Sequence, residues 1–129
     1  MKIAVISDTH DNRDNILKVI SIINERKVNA VIHCGDYVSP FVRRWFDKLE
    51  DSIKKNFYGV FGNNDGDRVF LKQTLGQICK FAQNGNELIL EFGGKKIFVS
   101  HMPKQETLEA LAHSGKFDII LSGHTHSLV

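Results

Sequence analysis

The 129-residue sequence predicts an α/β fold, and three observations carry that expectation. Short β-branched runs end abruptly in polar loops, amphipathic helical stretches follow those loops, and a glycine pair late in the chain joins two extended runs. The composition, 42% hydrophobic and 25% charged, is that of an ordinary globular domain long enough to bury a sizeable core, so residues 1–129 are expected to form a single domain.

Residues 2–6 form the first apolar run and feed Ser7-Asp8-Thr9-His10-Asp11-Asn12, the pattern of a buried strand entering a polar loop. Ile16, Val19, Ile20 and Ile23 then recur at i, i+3, i+4 and i+7, which predicts an amphipathic helix over residues 14–27. A second strand, Ala30-Val31-Ile32-His33, ends in Cys34-Gly35-Asp36. Ser39-Pro40 reads as a helix N-cap with proline in the first turn, and Phe41, Trp45 and Leu49 as the core-facing stripe of that helix.

The third strand, Phe57-Tyr58-Gly59-Val60-Phe61, ends in Gly62-Asn63-Asn64-Asp65-Gly66. Residues 87–92 and 95–100 are two extended runs joined by Gly93-Gly94, the residues a tight hairpin wants, so antiparallel pairing is expected there. A helix over 104–114 carries Leu108, Leu111 and Ala112 on its apolar side. Phe117-Asp118-Ile119-Ile120-Leu121 is the last strand and runs into Ser122-Gly123-His124-Thr125-His126.

The 17 Lys+Arg and 15 Asp+Glu leave a scattered net charge of +2, which argues for neither a nucleic-acid nor a membrane surface. Cys34 and Cys79 make no CxxC and too sparse a framework for a small secreted protein, so reduced thiols in the cytoplasm are expected. The N-terminal apolar run is too short for a signal peptide or a membrane span. A homo-oligomer is left open.

Five strands thus end in loops that hold oxygen and nitrogen donors: Asp8 and His10, Asp36, Asn63, His101, and His124 with His126. Ligands of open sheets collect outside the carboxyl ends of parallel strands, so loops far apart in sequence can converge there. Each fragment alone is weak, since a D-x-H arises about 0.4 times by chance at this composition. The joint arrangement carries the information, because four of the six histidines fall in those loops.

In chain order, D-x-H at 8–10, G-D at 35–36, G-N-x-D at 62–65, His101 after a strand and G-H-T-H at 123–126 resemble the calcineurin-like metallophosphoesterases. The resemblance spans nearly the whole chain and looks most like the small single-domain bacterial and archaeal phosphodiesterase branch. It implies a four-layer αββα sandwich of two mixed β-sheets flanked by helices. The family's C-terminal strands are expected to be missing, since only Ser127, Leu128 and Val129 follow the last motif.

It also implies a two-metal site, with Asp8, His10, Asp36 and His126 around one ion and Asp36, Asn63, His101 and His124 around the other. Asp36 would bridge, Asp36, Asn63 and His101 would serve catalysis, and Asn64 would bind substrate. A donor set without thiolate suits divalent transition metals; manganese is the expected one, with nickel, iron, cobalt and zinc as alternatives. The implied activity is hydrolysis of small or nucleotide-like phosphodiesters by a metal-bridging hydroxide. A metal-free protein-binding scaffold of the same fold and a phosphomonoesterase are the alternatives, and no ligand position is lost here to favour the scaffold. Repair nucleases of the superfamily carry further segments for nucleic acid, for which 129 residues leave no room.

Two departures matter. Where many relatives carry histidine to protonate the leaving group, this chain has Asn64, which predicts slow turnover of alkyl esters and better turnover of aryl esters. Where relatives often read His-Gly-His, this chain reads His101-Met102-Pro103. His33, His113 and Cys34 lie outside the motif pattern and are expected to be structural. Between Gly66 and Asn86, Arg68 and Lys72 are the only residues with readable pocket chemistry.

Overall fold

The computed structural model describes residues 2–65, 68–82 and 86–123. Strands β1 (Ile3–Ile6), β2 (Ala30–His33), β3 (Phe57–Gly59) and β4 (Lys80–Phe81) form one sheet in that order, parallel throughout. Strands β5 (Glu87–Phe92), β6 (Lys95–Ser100) and β7 (Ile119–Ser122) form a second sheet, antiparallel at β5/β6 and parallel at β6/β7. Of the two sheets expected to be mixed, then, the second is, while the first is parallel among the described strands. The cause is connectivity: each link in the first half passes through helical chain and returns in the same direction, and only the Gly93-Gly94 turn reverses it.

Helix α1 (Arg13–Arg26) starts at Asn12, whose side chain accepts the N–H of Asn15 at 3.2 Å, and stops at Lys27 in the left-handed region. Ile16, Ile20 and Ile23 are the buried side of that helix, at 4% exposure or less; burying such side chains contributes about 1.5–3 kcal/mol each. They pack with Val31 and Phe57 of the first sheet and with Phe46, Ile53 and Leu71 of the short helices α2 (Arg43–Phe46), α3 (Asp51–Lys54) and α4 (Arg68–Thr74). On the other face of that sheet Ile32, Cys34 and Val60 meet Ile97 and Val99 of the second. The alternation of Val31 and Ile32 between these two cores is the period of two in an extended strand, and it explains why β2 is buried along its whole length. Helix α5 (Gln105–Ser114) lies against β7, which completes the layers helix, sheet, sheet, helix.

The hairpin and β2 fall where the sequence puts them. The segment after Ser39 does not, because Pro40–Val42 is a single 3-10 turn and α2 ends at Phe46. The change of winding shifts the first two buried positions by one residue: Val42 and Phe46 enter the core and Phe41 is 68% exposed, while Leu49 is buried as expected. Ser39 occupies the N-cap position, yet its hydroxyl donates to Asp11 Oδ1 at 2.9 Å instead of capping. Among the described residues no helix is long and apolar enough to cross a membrane, and Cys34 and Cys79 are both free and buried.

Candidate functional site

Parallel register brings the ends of β1, β2 and β3 side by side, and backbone bonds hold the loops that leave them. Asp8 N–H donates to Gly35 C=O and His10 N–H to Asp36 C=O, each at 2.9 Å. From the second sheet, Gly123 N–H donates to His101 C=O at 3.0 Å. Asp8, His10 and Asp36 all take left-handed backbone conformations, with φ of 55°, 50° and 65°. Non-glycine residues hold such values only where surrounding contacts enforce them, and such strain clusters at functional sites.

The side chains converge. Asp8, His10 and Asp36 each present one ligand atom within 4.8 Å of the others, a group that could hold a metal ion. The fully buried Asp36 lies between two imidazoles, with Oδ2 at 3.5 Å from His10 Nε2 and 3.4 Å from His101 Nε2. Asn63 Oδ1 stands 2.9 Å and Asp8 Oδ1 3.8 Å from the same His101 Nε2. Asp36, Asn63, His101, Asp8 and His10 are therefore one cluster, as the sequence predicts, whereas His124 and His126 lie outside the described residues. Gly123, which leads to them, packs so closely that a Cβ there would collide with Ser7 Oγ and lie 2.8 Å from Asp8 Oδ2.

Tautomer decides what this cluster can hold. His101 Nδ1 is 2.8 Å from the Cys34 carbonyl, which only accepts, so Nδ1 carries a proton and Nε2 is the ring nitrogen turned toward the site. Nε2 faces the oxygens of Asn63, Asp36 and Asp8, so the ligand atoms converge on a place suited to a cation. Imidazole, carboxylate and amide oxygen are the donors a divalent transition metal accepts, and a ligating histidine commonly gives its other N–H to such a carbonyl. The residues fit the implied metals.

Asn64, expected to bind substrate, is engaged with Asp36: its backbone N–H donates to Oδ1 at 2.9 Å and its side-chain amide to Oδ2 at 3.0 Å. Asp65 is the residue that sequence reasoning passed over. Its buried carboxylate accepts the backbone N–H groups of Val38 and Gly62 at 2.7 Å and of Asp36 at 3.1 Å, joining the loops that carry Asp36 and Asn63. Burial raises its pKa, and the three amide donors oppose the rise. The signal was the last letter of G-N-x-D.

His33 is structural, as expected. Its ring stacks on Tyr37 at 3.9 Å, accepts the Gly35 N–H on Nδ1 at 3.0 Å, and therefore donates from Nε2 to Thr9 Oγ1 at 2.9 Å. Complete burial pushes its pKa down to about 3, with His101 and His10 adding to the fall and Asp8 opposing it. Ser7 donates to Asp8 Oδ2 at 2.5 Å. Two clefts border the cluster, one of about 460 Å³ beside Asp8 and His10 and one of about 560 Å³ beside Asn63 and His101.

The calcineurin-like phosphoesterase superfamily domain matches residues 1–129. The chain is similar to a phosphodiesterase of Methanocaldococcus jannaschii, 41% identical over 129 residues that cover 100% of this chain and 75% of that protein. It superimposes on the solved structure of an archaeal phosphodiesterase with a TM-score of 0.85 and 40% identity, covering 100% of this chain and 76% of the other. Vps29 of Entamoeba histolytica, solved with zinc, aligns with a TM-score of 0.63 at 17% identity over 100% of this chain and 67% of that one, a likeness of fold alone.

Proposed function

Since the chain belongs to the calcineurin-like phosphoesterase superfamily, we propose that it is a metal-dependent phosphodiesterase whose two ions are held by Asp8, His10, Asp36, Asn63 and His101, with His124 and His126. The observation that carries this reading is the convergence of His101 Nε2 with oxygens of Asn63, Asp36 and Asp8. Preference for a diester over a monoester rests on the likeness to the Methanocaldococcus phosphodiesterase. Manganese is the first metal to test, followed by nickel, iron, cobalt and zinc.

When bound, divalent ions would lower the pKa of a water and offset the charge that builds on the phosphoryl oxygens. The protein's part is orientation. The Cys34 carbonyl keeps His101 in the tautomer that presents Nε2. Asn64 holds both oxygens of Asp36, so this carboxylate can face two ions without rotating. An amide at position 64 delivers no proton to a departing alkoxide, so leaving groups that are already stable, such as phenolates, are favoured. Small or nucleotide-like diesters are the substrate class.

The thiols of Cys34 and Cys79 are buried, and burial raises both pKa values, that of Cys34 to about 12. Such thiols suit a reducing compartment, and we assign the protein to the cytoplasm. The core shared by Ile32, Val60, Ile97 and Val99 supports treating residues 1–129 as one domain. The test of the function is hydrolysis of bis(p-nitrophenyl) phosphate by metal-stripped protein before and after manganese is added. Turnover restored by the metal supports the reading, and turnover unaffected by the metal removes it.

A further inference from the structure

The cleft of about 560 Å³ beside Asn63 and His101 falls within the ~300–1,000 Å³ common for small-molecule sites. Its walls are of two kinds. Phe61, Phe98, Met102 and Pro103 supply apolar lining, and Arg68, Asn86, Glu87 and Lys104 supply polar and charged lining. Met102 directly follows His101 in sequence and is 55% exposed, so its thioether contributes to the cleft surface and not to the core.

Arg68 is held in place from three directions. It donates to the Gly62 carbonyl at 3.1 Å and to Asn86 Oδ1 at 3.2 Å, and its guanidinium carbon lies 5.3 Å from the centre of the Phe61 ring. Phe61 in turn stacks on Phe81 at 4.6 Å with the rings 11° from parallel. The result is a supported cationic plane attached to the residue that precedes Asn63. A guanidinium plane, a thioether and phenyl groups share one preference, for flat aromatic surface, and the cation also favours an anionic ester.

We propose that this cleft takes the aromatic or nucleobase-bearing arm of the phosphodiester, with Arg68 as a specificity-determining residue and Met102 as its apolar counterpart. The assignment rests on the phosphodiesterase reading above. It also gives Met102-Pro103 a purpose: the segment after His101 supplies a surface for the ester arm.

The test compares manganese-loaded protein on phenyl p-nitrophenyl phosphate and methyl p-nitrophenyl phosphate, which share a leaving group and differ in the retained arm. The expected kcat/KM ratio favours the phenyl ester by about tenfold. Arg68→Gln and Met102→Ala, both at exposed positions, are each expected to lower that ratio at least about threefold. Calorimetric titration with phenylphosphonate and methylphosphonate supplies a readout without turnover, and tighter binding of the phenyl compound should weaken in the same variants. Equal kcat/KM for the two esters in the wild type, or a ratio and phosphonate affinities unchanged in both variants, overturns the assignment and leaves the phosphodiesterase reading standing. Hydrolysis of neither ester by metal-loaded protein removes the phosphodiesterase reading, and the assignment falls with it.

Discussion

Asp65 holds Asp36 by the backbone: its Oδ2 accepts the Asp36 N–H at 3.1 Å, and the same oxygen accepts the Gly62 N–H at 2.7 Å. One buried carboxylate therefore ties the loop after β2 to the loop after β3. Asp36 has a left-handed backbone with φ of 65°, so its position depends on such restraints.

Asp65→Asn should loosen that tie. An amide keeps one acceptor oxygen and turns a second donor toward backbone N–H groups, leaving at least one of them unpaired. Stability should fall by about 1–3 kcal/mol in urea unfolding, and manganese affinity should fall about 10–100-fold by calorimetric titration. Unchanged metal affinity in a folded variant would reduce Asp65 to a turn residue.

Gly62→Ala tests the closeness of the same loops. A Cβ at position 62 would collide with Asp36 Oδ1, so the carboxylate must move. Metal affinity should drop more than tenfold, on the scale seen when supporting groups around a metal ligand are removed. Circular dichroism would verify that the fold persists, and full metal affinity would contradict the geometry.

Asn64→His should accelerate esters with poor leaving groups. The backbone N–H of residue 64 keeps its bond to Asp36 Oδ1, while an imidazole adds a group able to give a proton. Hydrolysis of an alkyl phosphodiester should rise by at least about tenfold, at the modest end of what a positioned acid supplies, when the variant is saturated with manganese to offset the lost amide bond to Asp36 Oδ2. No gain on such esters would remove the account of Asn64 as the missing acid.

His33 predicts a pH dependence. Its folded pKa of about 3 lies below the unfolded value of 6.5, so between these the unfolded chain binds a proton that the folded one refuses. The contribution is complete above pH 6.5 and is lost as pH falls toward 3, with a slope of at most about 1.4 kcal/mol per pH unit. Urea unfolding at pH 4, 5, 6 and 7 should show this slope in the wild type and a shallower one in His33→Asn.

Much of this was legible in the chain because local chemistry and tertiary context agree. The isoleucines of α1 keep helical spacing, Gly93-Gly94 reverses the hairpin, and Asp8, His10, Asp36, Asn63 and His101 each follow a strand end, where parallel pairing brings them together. The 3-10 turn at Pro40–Val42 was not legible, since a periodicity argument assumes a single winding throughout. Nor were α3, α4 and the two-residue β4, which are too short to display a period. Asp65 escaped because an aspartate in a glycine- and asparagine-rich turn looks the same whether its carboxylate faces water or three buried amides.

The most direct test of the central claim is elemental analysis of protein purified without chelator, paired with hydrolysis of an aryl phosphodiester by the metal-stripped chain with and without manganese. The predicted result is two metal ions per chain and turnover that returns with manganese. A folded protein that binds no metal tightly and hydrolyses no ester would contradict it.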